Sequence, residues 1–178
     1  DGNRDIYRVR LDGTDLERLT KSPADERAPT VAGETVVFTR YGDGNGELYA
    51  LSLTDPEVGP VRLTHTAANE TEAALSPDGN RLAYVSDVSG LPRLWVAAAD
   101  GTGAMPVTAG FGHGGSIEGS PSWAPDGERL VFISTTAGTA DLYILHVETG
   151  AITPLITSAH PEVEPTWSPD GAHIVFVS

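Results

Sequence analysis

Glu164-Pro165-Thr166-Trp167-Ser168-Pro169-Asp170-Gly171 is a stretch that this chain repeats, and the repetition constrains its fold more than any other feature. It recurs as Ser120-Pro121-Ser122-Trp123-Ala124-Pro125-Asp126-Gly127 and, without the tryptophan, as Glu72-Ala73-Ala74-Leu75-Ser76-Pro77-Asp78-Gly79. A degenerate fourth copy, Ala28-Pro29-Thr30-Val31-Ala32-Gly33-Glu34, leads into Val36-Val37-Phe38. The three clear copies stand 48 and 44 residues apart. A fixed period of this size is the signature of a propeller or a solenoid.

Each copy precedes an apolar run rich in β-branched residues, from Leu82, Leu130 or Ile174. A third run follows: Glu47-Leu48-Tyr49-Ala50-Leu51, Arg93-Leu94-Trp95-Val96-Ala97 or Asp141-Leu142-Tyr143-Ile144-Leu145. A fourth ends in Leu63-Thr64, Val107-Thr108 or Ile156-Thr157. Such runs, bounded by Gly, Pro and Asp, read as strands. In Ser-Pro-Asp-Gly, proline presets φ for the first central turn position, and glycine accepts the left-handed one that ends the hairpin turn. The Trp, Leu or Val before it reads as an apolar plug between neighbouring sheets. Tyr7, Tyr49, Trp95 and Tyr143 read the same way.

The chain opens with strands three and four of a repeat (residues 4–20) and closes with strands one and two (residues 163–178). Unpaired half-sheets expose hydrogen-bonding edges. The expectation is therefore an all-β, four-bladed β-propeller of four-stranded antiparallel blades. Blades fall at about 22–65, 66–109 and 110–158, and a last blade, 159–178, is completed by residues 1–21. All form a single domain. Two alternatives stay open: a piece of a larger propeller, and two chains sharing an eight-bladed ring.

The combination Pro-x-Trp-Ser-Pro-Asp-Gly, an Ile/Leu-Val-Phe-Val/Ile-Ser strand, Asp-Leu/Ile-Tyr and Leu-Thr resembles the TolB-type propeller repeat. That resemblance covers the whole chain. It implies a periplasmic or extracellular location and a role in binding proteins. TolB-like propellers have six blades and a separate N-terminal domain, whereas four repeats are present here. Similar repeats occur in relatives of prolyl oligopeptidase and in manganese-dependent oligogalacturonate lyases with histidine ligands.

Composition narrows the chemistry. Twenty-five Asp and Glu against eleven Lys and Arg give a net charge of −14, which argues against nucleic acid and anionic membrane surfaces. No apolar run approaches a membrane span. The absence of cysteine excludes disulfides and thiol catalysis. Asp1 rather than Met at the start suggests that a leader or other N-terminal segment precedes it. There is no Gly-x-Ser-x-Gly elbow; Gly115-Ser116-Ile117-Glu118-Gly119 has its serine one place early.

Three residues before each anchor proline, or before Ala73, stands a glutamate: Glu26, Glu70, Glu118 and Glu162. Fourfold repetition would place four carboxylates round one mouth of the channel. Converging carboxylates repel unless protonated, hydrogen-bonded or bridged by a cation. One expectation is Ca²⁺ or another divalent cation there; the other is that each glutamate makes a repeated architectural hydrogen bond. His65, His113 and His160 lie in the loops on the same side and could join a mixed N/O metal site. The glycine-rich loop 109–120, with Phe111 and His113 as its bulky side chains, reads as a contact for a partner or ligand. Asp1, Asn3 and Asp5, and Asp43, Asn45 and Glu47, have oxygen-ligand spacing but also the residue types of ordinary turns.

Two functions follow. The first is a non-enzymatic binding or scaffolding propeller, a monomer, whose acidic channel mouth meets a protein partner, a small ligand or a divalent cation. The second is a metal-dependent lyase or hydrolase that uses the loop histidines and glutamates.

Overall fold

The computed structural model describes residues 2–42 and 44–178. A two-stranded sheet opens the chain, β1 (Tyr7–Arg8) with β2 (Glu17–Arg18). Three four-stranded antiparallel sheets follow, each in sequence order. The first comprises β3 (Asp25–Ala32), β4 (Thr35–Gly42), β5 (Asn45–Ser52) and β6 (Val61–Arg62). The second comprises β7 (Glu70–Leu75), β8 (Arg81–Ser86), β9 (Arg93–Ala98) and β10 (Met105–Pro106). The third comprises β11 (Glu118–Trp123), β12 (Arg129–Ser134), β13 (Asp141–His146) and β14 (Ala151–Ile156). A last pair, β15 (Val163–Trp167) and β16 (Ile174–Val177), closes the chain.

The recurrent turn forms as its residues dictate. Gly79 N–H donates to the Ser76 carbonyl at 2.8 Å with Gly79 at φ 73°, and Gly171 N–H donates to the Ser168 carbonyl at 2.9 Å. The serine does more than fill a turn position: Ser76 Oγ donates to Asp78 at 2.5 Å and accepts from Arg81 N–H at 2.9 Å. With Asn80 also donating, these bonds hold the Asp78 carboxyl down at about 2.

Each first strand carries a β-bulge two residues after the recurring glutamate. Register shifts fall between Arg27 and Thr30, Thr71 and Ala74, Gly119 and Ser122, and Val163 and Thr166. Ala28, Glu72, Ser120 and Glu164 take left-handed φ of 50–55° there. None is glycine, so this backbone is held by its surroundings. At one site the holding group is visible: Glu72 Oε2 accepts the Ser120 N–H of the next sheet at 2.5 Å.

Core residues sit between consecutive sheets. Ile6 packs with Val36, Phe38 and Leu51; Val37 and Leu48 with Leu75, Leu82 and Tyr84; Ala83 and Leu94 with Trp123, Leu130 and Phe132. Trp123, 7% exposed, is the expected plug, and its Nε1–H also donates to the Ala74 carbonyl at 2.9 Å. An arginine from the preceding sheet covers the ring: Arg81 lies 4.8 Å from Trp123, and Arg129 lies 4.9 Å from Trp167.

The expected closure of a fourth blade from the two ends is not made. β1–β2 and β15–β16 are separate sheets, and β16 pairs with β15 alone. The physical reason lies in the interfaces. Each step from sheet to sheet is fixed by its own wedge of buried side chains, and those steps leave the first and last sheets apart, with no contact between them among the described residues.

Candidate functional site

The repeated glutamates begin the first strands. They are 2% (Glu26), 1% (Glu70), 2% (Glu118) and 2% (Glu162) exposed. Glu26 accepts from the Thr20 hydroxyl and from Arg40 Nε at 2.8 Å. Glu70 accepts from Thr66 at 2.7 Å and Ser86 at 2.9 Å. Glu118 takes Arg93 Nη1 on both oxygens, at 2.7 and 2.8 Å, with Thr108 at 3.2 Å and Ser134 at 3.4 Å. Glu162 accepts from Ser158 at 2.6 Å.

Thr20 and Thr108, just past the last strands of the preceding sheets, reach Glu26 and Glu118, and Thr66 and Ser158, in the connecting loops, reach Glu70 and Glu162. Thr20 and Thr108 also accept the Ile6 and Leu94 N–H groups of their own sheets, at 2.9 and 3.1 Å. Glu26 and Glu118 therefore tie one sheet to the next, Glu70 and Glu162 fasten the connecting loop to their own sheet, and the four carboxylates are buried rather than free at an open mouth. Buried carboxylates need donors, and the repeat supplies them from within.

Burial is the main force on their ionisation. It pushes Glu118 above the ordinary carboxyl range although Arg93 pulls the other way. Glu70 is pushed up chiefly by burial, with Glu47 beside it adding to the rise. One Glu70 oxygen and one Glu162 oxygen are buried without a hydrogen-bond partner. Tyr84 is pushed up to about 12, again by burial first and the Glu70 charge second.

The two turn clusters serve the same stitching. Asn3 Nδ2 donates to the Ser22 and Ala24 carbonyls at 2.7 and 3.2 Å, and Asn45 Nδ2 to the Ala68 carbonyl at 2.6 Å. Asp5 pairs with Arg18 at 2.7 Å; Glu47 pairs with Arg62 and accepts from Thr64 at 2.6 Å. Asp1 and Asp43 lie outside the described residues.

The histidines do not join the glutamates. His65, His113 and His160 are exposed, each on a different connecting loop. Among the described residues no three His, Cys, Asp or Glu side chains come together as a metal site. Phe111, expected to face a partner, turns inward instead. Its ring meets Tyr143 and Phe132 edge-on, with centroids 5.1 and 5.9 Å apart. In a loop of glycines the aromatic side chain gains most by burial. Gly112 makes that path possible: at φ 81°, an added Cβ would lie 2.4 Å from Ser116 Oγ. His113 stays outside, anchored by its backbone N–H to Thr136 Oγ1 at 3.3 Å.

Sequence reading missed the arginines. Arg93 occupies the place held by Asp5, Glu47 and Asp141 in the other repeats, and that departure sets a cation against Glu118 of the next sheet. It also missed where exposed acid collects. In an antiparallel meander the first-to-second and third-to-fourth turns share one end. At that end Glu34, Asp55, Glu57, Asp100, Glu128 and Glu148 are all exposed. The histidine loops lie at the other end.

Successive antiparallel sheets, bulged first strands and aromatic plugs between neighbours define a β-propeller type of architecture. Residues 112–178 match the model of the TolB beta propeller domain. The Tol-Pal system protein TolB of Anaeromyxobacter dehalogenans (strain 2CP-C) is 32% identical over 91 residues, 51% of this chain and 19% of that protein. TolB from Acinetobacter baumannii superposes with a TM-score of 0.82 at 18% identity, over 98% of this chain and 43% of that one. An oligogalacturonate lyase in complex with manganese gives 0.71 at 17% identity, over 96% and 52%. The chain resembles the TolB-type β-propeller repeat family, with its domain model matched over residues 112–178. The match spans about a fifth of the curated relative's length.

Proposed function

We propose that this chain is a non-enzymatic propeller scaffold, periplasmic or extracellular as the resemblance to TolB implies, that binds a protein partner through its acidic end. The distribution of charge carries this reading. Eight ion pairs among the described residues engage arginines with acids of the chain itself. Arg81 is held on Trp123 and the Gly127 carbonyl. Against a net charge of −14, none of these pairs engages Glu34, Asp55, Glu57, Asp100, Glu128 or Glu148. A basic surface on the partner would meet them with fast, salt-sensitive association. The curated relative is named for the Tol-Pal system, so a Pal-type protein is the first partner to test.

The manganese-bound lyase among the structural neighbours raises metal chemistry, but the donors present do not fit it. The histidines stand on separate loops, and the glutamates accept hydrogen bonds within the fold. Among the described residues no helix is long and apolar enough to cross a membrane.

Isothermal titration of the full chain with purified Pal tests the reading. Binding that weakens steeply with salt is expected. It should disappear in a variant carrying Glu34→Lys, Glu57→Lys, Glu128→Lys and Glu148→Lys. Absence of binding, or binding indifferent to those four changes, contradicts the reading.

A further inference from the structure

We propose that one proton held between Glu70 and Glu47 clasps the second sheet to the first, so that this junction loosens as alkali removes it. The junction lies at the histidine-loop end, away from the acidic turns, and owes nothing to a partner there.

Close backbone approach brings the two carboxyl groups together. Gly46 N–H donates to Asn69 Oδ1 at 3.1 Å, and Asn45 Nδ2 donates to the Ala68 carbonyl at 2.6 Å. A Cβ added to Gly46 would lie 3.2 Å from Thr71 Cγ2, a contact tight enough that glycine suits the place. One residue on from these contacts, Glu47 and Glu70 are 4% and 1% exposed, and their carboxyl groups meet as hydrogen-bond neighbours.

Two ionised carboxylates cannot bond to each other, since each only accepts. Glu47 accepts from Asn45 at 2.8 Å, from Thr64 at 2.6 Å and from Arg62. The Thr66 and Ser86 hydroxyls both donate to one Glu70 oxygen, Oε1. The other, Oε2, is buried without a donor. A proton on Oε2 turns this orphaned acceptor into a donor to Glu47 and leaves one buried negative charge facing one arginine. The next junction meets the same need differently. There Arg93 stands where Glu47 stands, and it pairs with Glu118. The proton takes the part of that cation.

The other charged groups around the pair are engaged elsewhere. Arg40 lines the small cavity beside Glu47 and Arg62 but pairs with Glu26. Arg93, opposite Ser86 in the register, turns to Glu118. Asp87 accepts from Asn69, and His65 in the connecting loop is exposed. Tyr84, beside Glu70, is a phenol pushed up to about 12. Burial first, and Glu47 after it, push the Glu70 carboxyl up against the pull of Thr66 and Ser86. A raised folded-state value contributes stability that is whole below the ordinary glutamate range and is lost as pH rises through the folded value. Once the proton leaves to solvent, two buried carboxylates share one arginine and repel across this junction.

Infrared difference spectra of the full chain test this, because a protonated carboxyl absorbs apart from the carboxylate bands. Above the ordinary glutamate range the wild type should show a carboxyl band that is missing in Glu70→Gln, and the band should fade as pH rises further. In Glu47→Gln it should fade at a lower pH, since the neighbouring charge that holds the proton is gone. Hydrogen exchange, corrected for intrinsic rates, should show residues 46–48 and 66–70 losing protection in alkali while 93–94 and 116–118 keep theirs. Glu70→Gln should abolish that loss. A wild type without the band, a band indifferent to Glu47→Gln, or equal loss of protection at both junctions would each overturn the inference. So would a Glu70→Gln chain that fails to fold, because the amide supplies the same donor.

Discussion

Arg93→Met probes the inter-sheet ion pair while keeping most of the side chain's packing. Arg93 Nη1 lies 2.7 and 2.8 Å from the two Glu118 oxygens and 2.7 Å from the Ser116 carbonyl. The Glu118 side chain is 0% exposed and that of Arg93 16%. Without the guanidinium, Thr108 and Ser134 are left as more distant donors to a buried charge. Removing one member of a buried pair costs about 3–5 kcal/mol, a large part of the 5–15 kcal/mol typical of a domain. Glu118→Gln keeps hydrogen bonding and leaves no buried anion, so its cost should be about 1–2 kcal/mol. The double variant should therefore lose less than the sum of the two, with a coupling of about 1–3 kcal/mol. Urea unfolding followed by tryptophan fluorescence reports this directly, since Trp123 packs at the same interface. The pH dependence has a defined sign. Arg93 pulls the Glu118 carboxyl down against burial, so Arg93→Met must raise it further. A raised folded-state value favours the native protein below the ordinary carboxyl range, and that contribution is lost as pH rises through the folded value. The defect should therefore shrink in acid and grow toward neutrality. A cost below about 1 kcal/mol, strict additivity, or a defect that worsens in acid would refute the ion-pair account.

Four other outcomes follow from the same geometry. Glu70 is raised chiefly by burial, so wild-type stability should fall as pH climbs from the ordinary glutamate range through its raised value; Glu70→Gln should flatten that fall in thermal scans at several pH values. Trp123→Ala removes a plug that is 7% exposed, with its bond to the Ala74 carbonyl, and should cost about 3–5 kcal/mol in urea unfolding. Gly101 has φ 83° and an added Cβ would lie 2.5 Å from the Leu63 carbonyl oxygen, so Gly101→Ala should lower stability by about 1–3 kcal/mol. Phe111→Ala should cost about 3 kcal/mol and leave Pal binding unchanged, since the ring packs inside.

Much of this architecture was legible because it is local. The Ser-Pro-Asp-Gly turn, the strands beside it and the tryptophan plug rest on φ preferences and apolar patterning within a few residues. The glutamate three places before each anchor was legible as a position, and its repetition allowed both a ring and a hydrogen bond. Partners decided between them: Thr20 and Thr108 come from the end of the preceding sheet and Thr66 and Ser158 from the connecting loop, contacts that spacing alone does not assign. The failure of the ends to meet was not legible. The step between sheets depends on the packed volume of groups such as Trp123, Phe132 and Phe111, which is a tertiary quantity. Phe111 itself shows the limit of reading a glycine-rich loop as surface.

We propose that Glu26, Glu70, Glu118 and Glu162 serve as hydrogen-bond acceptors within the fold and hold no metal. Thermal unfolding in chelator, then with Ca²⁺, Mn²⁺ or Zn²⁺ at low excess over protein in physiological salt, tests it most directly. A metal bound only by the native state at a hundredfold excess over Kd adds about 2.7 kcal/mol, or roughly 5–10 °C in a chain of this size. The account predicts no such rise with any of the three ions. A saturable rise of that size, abolished by Glu118→Gln or His113→Ala, would contradict it.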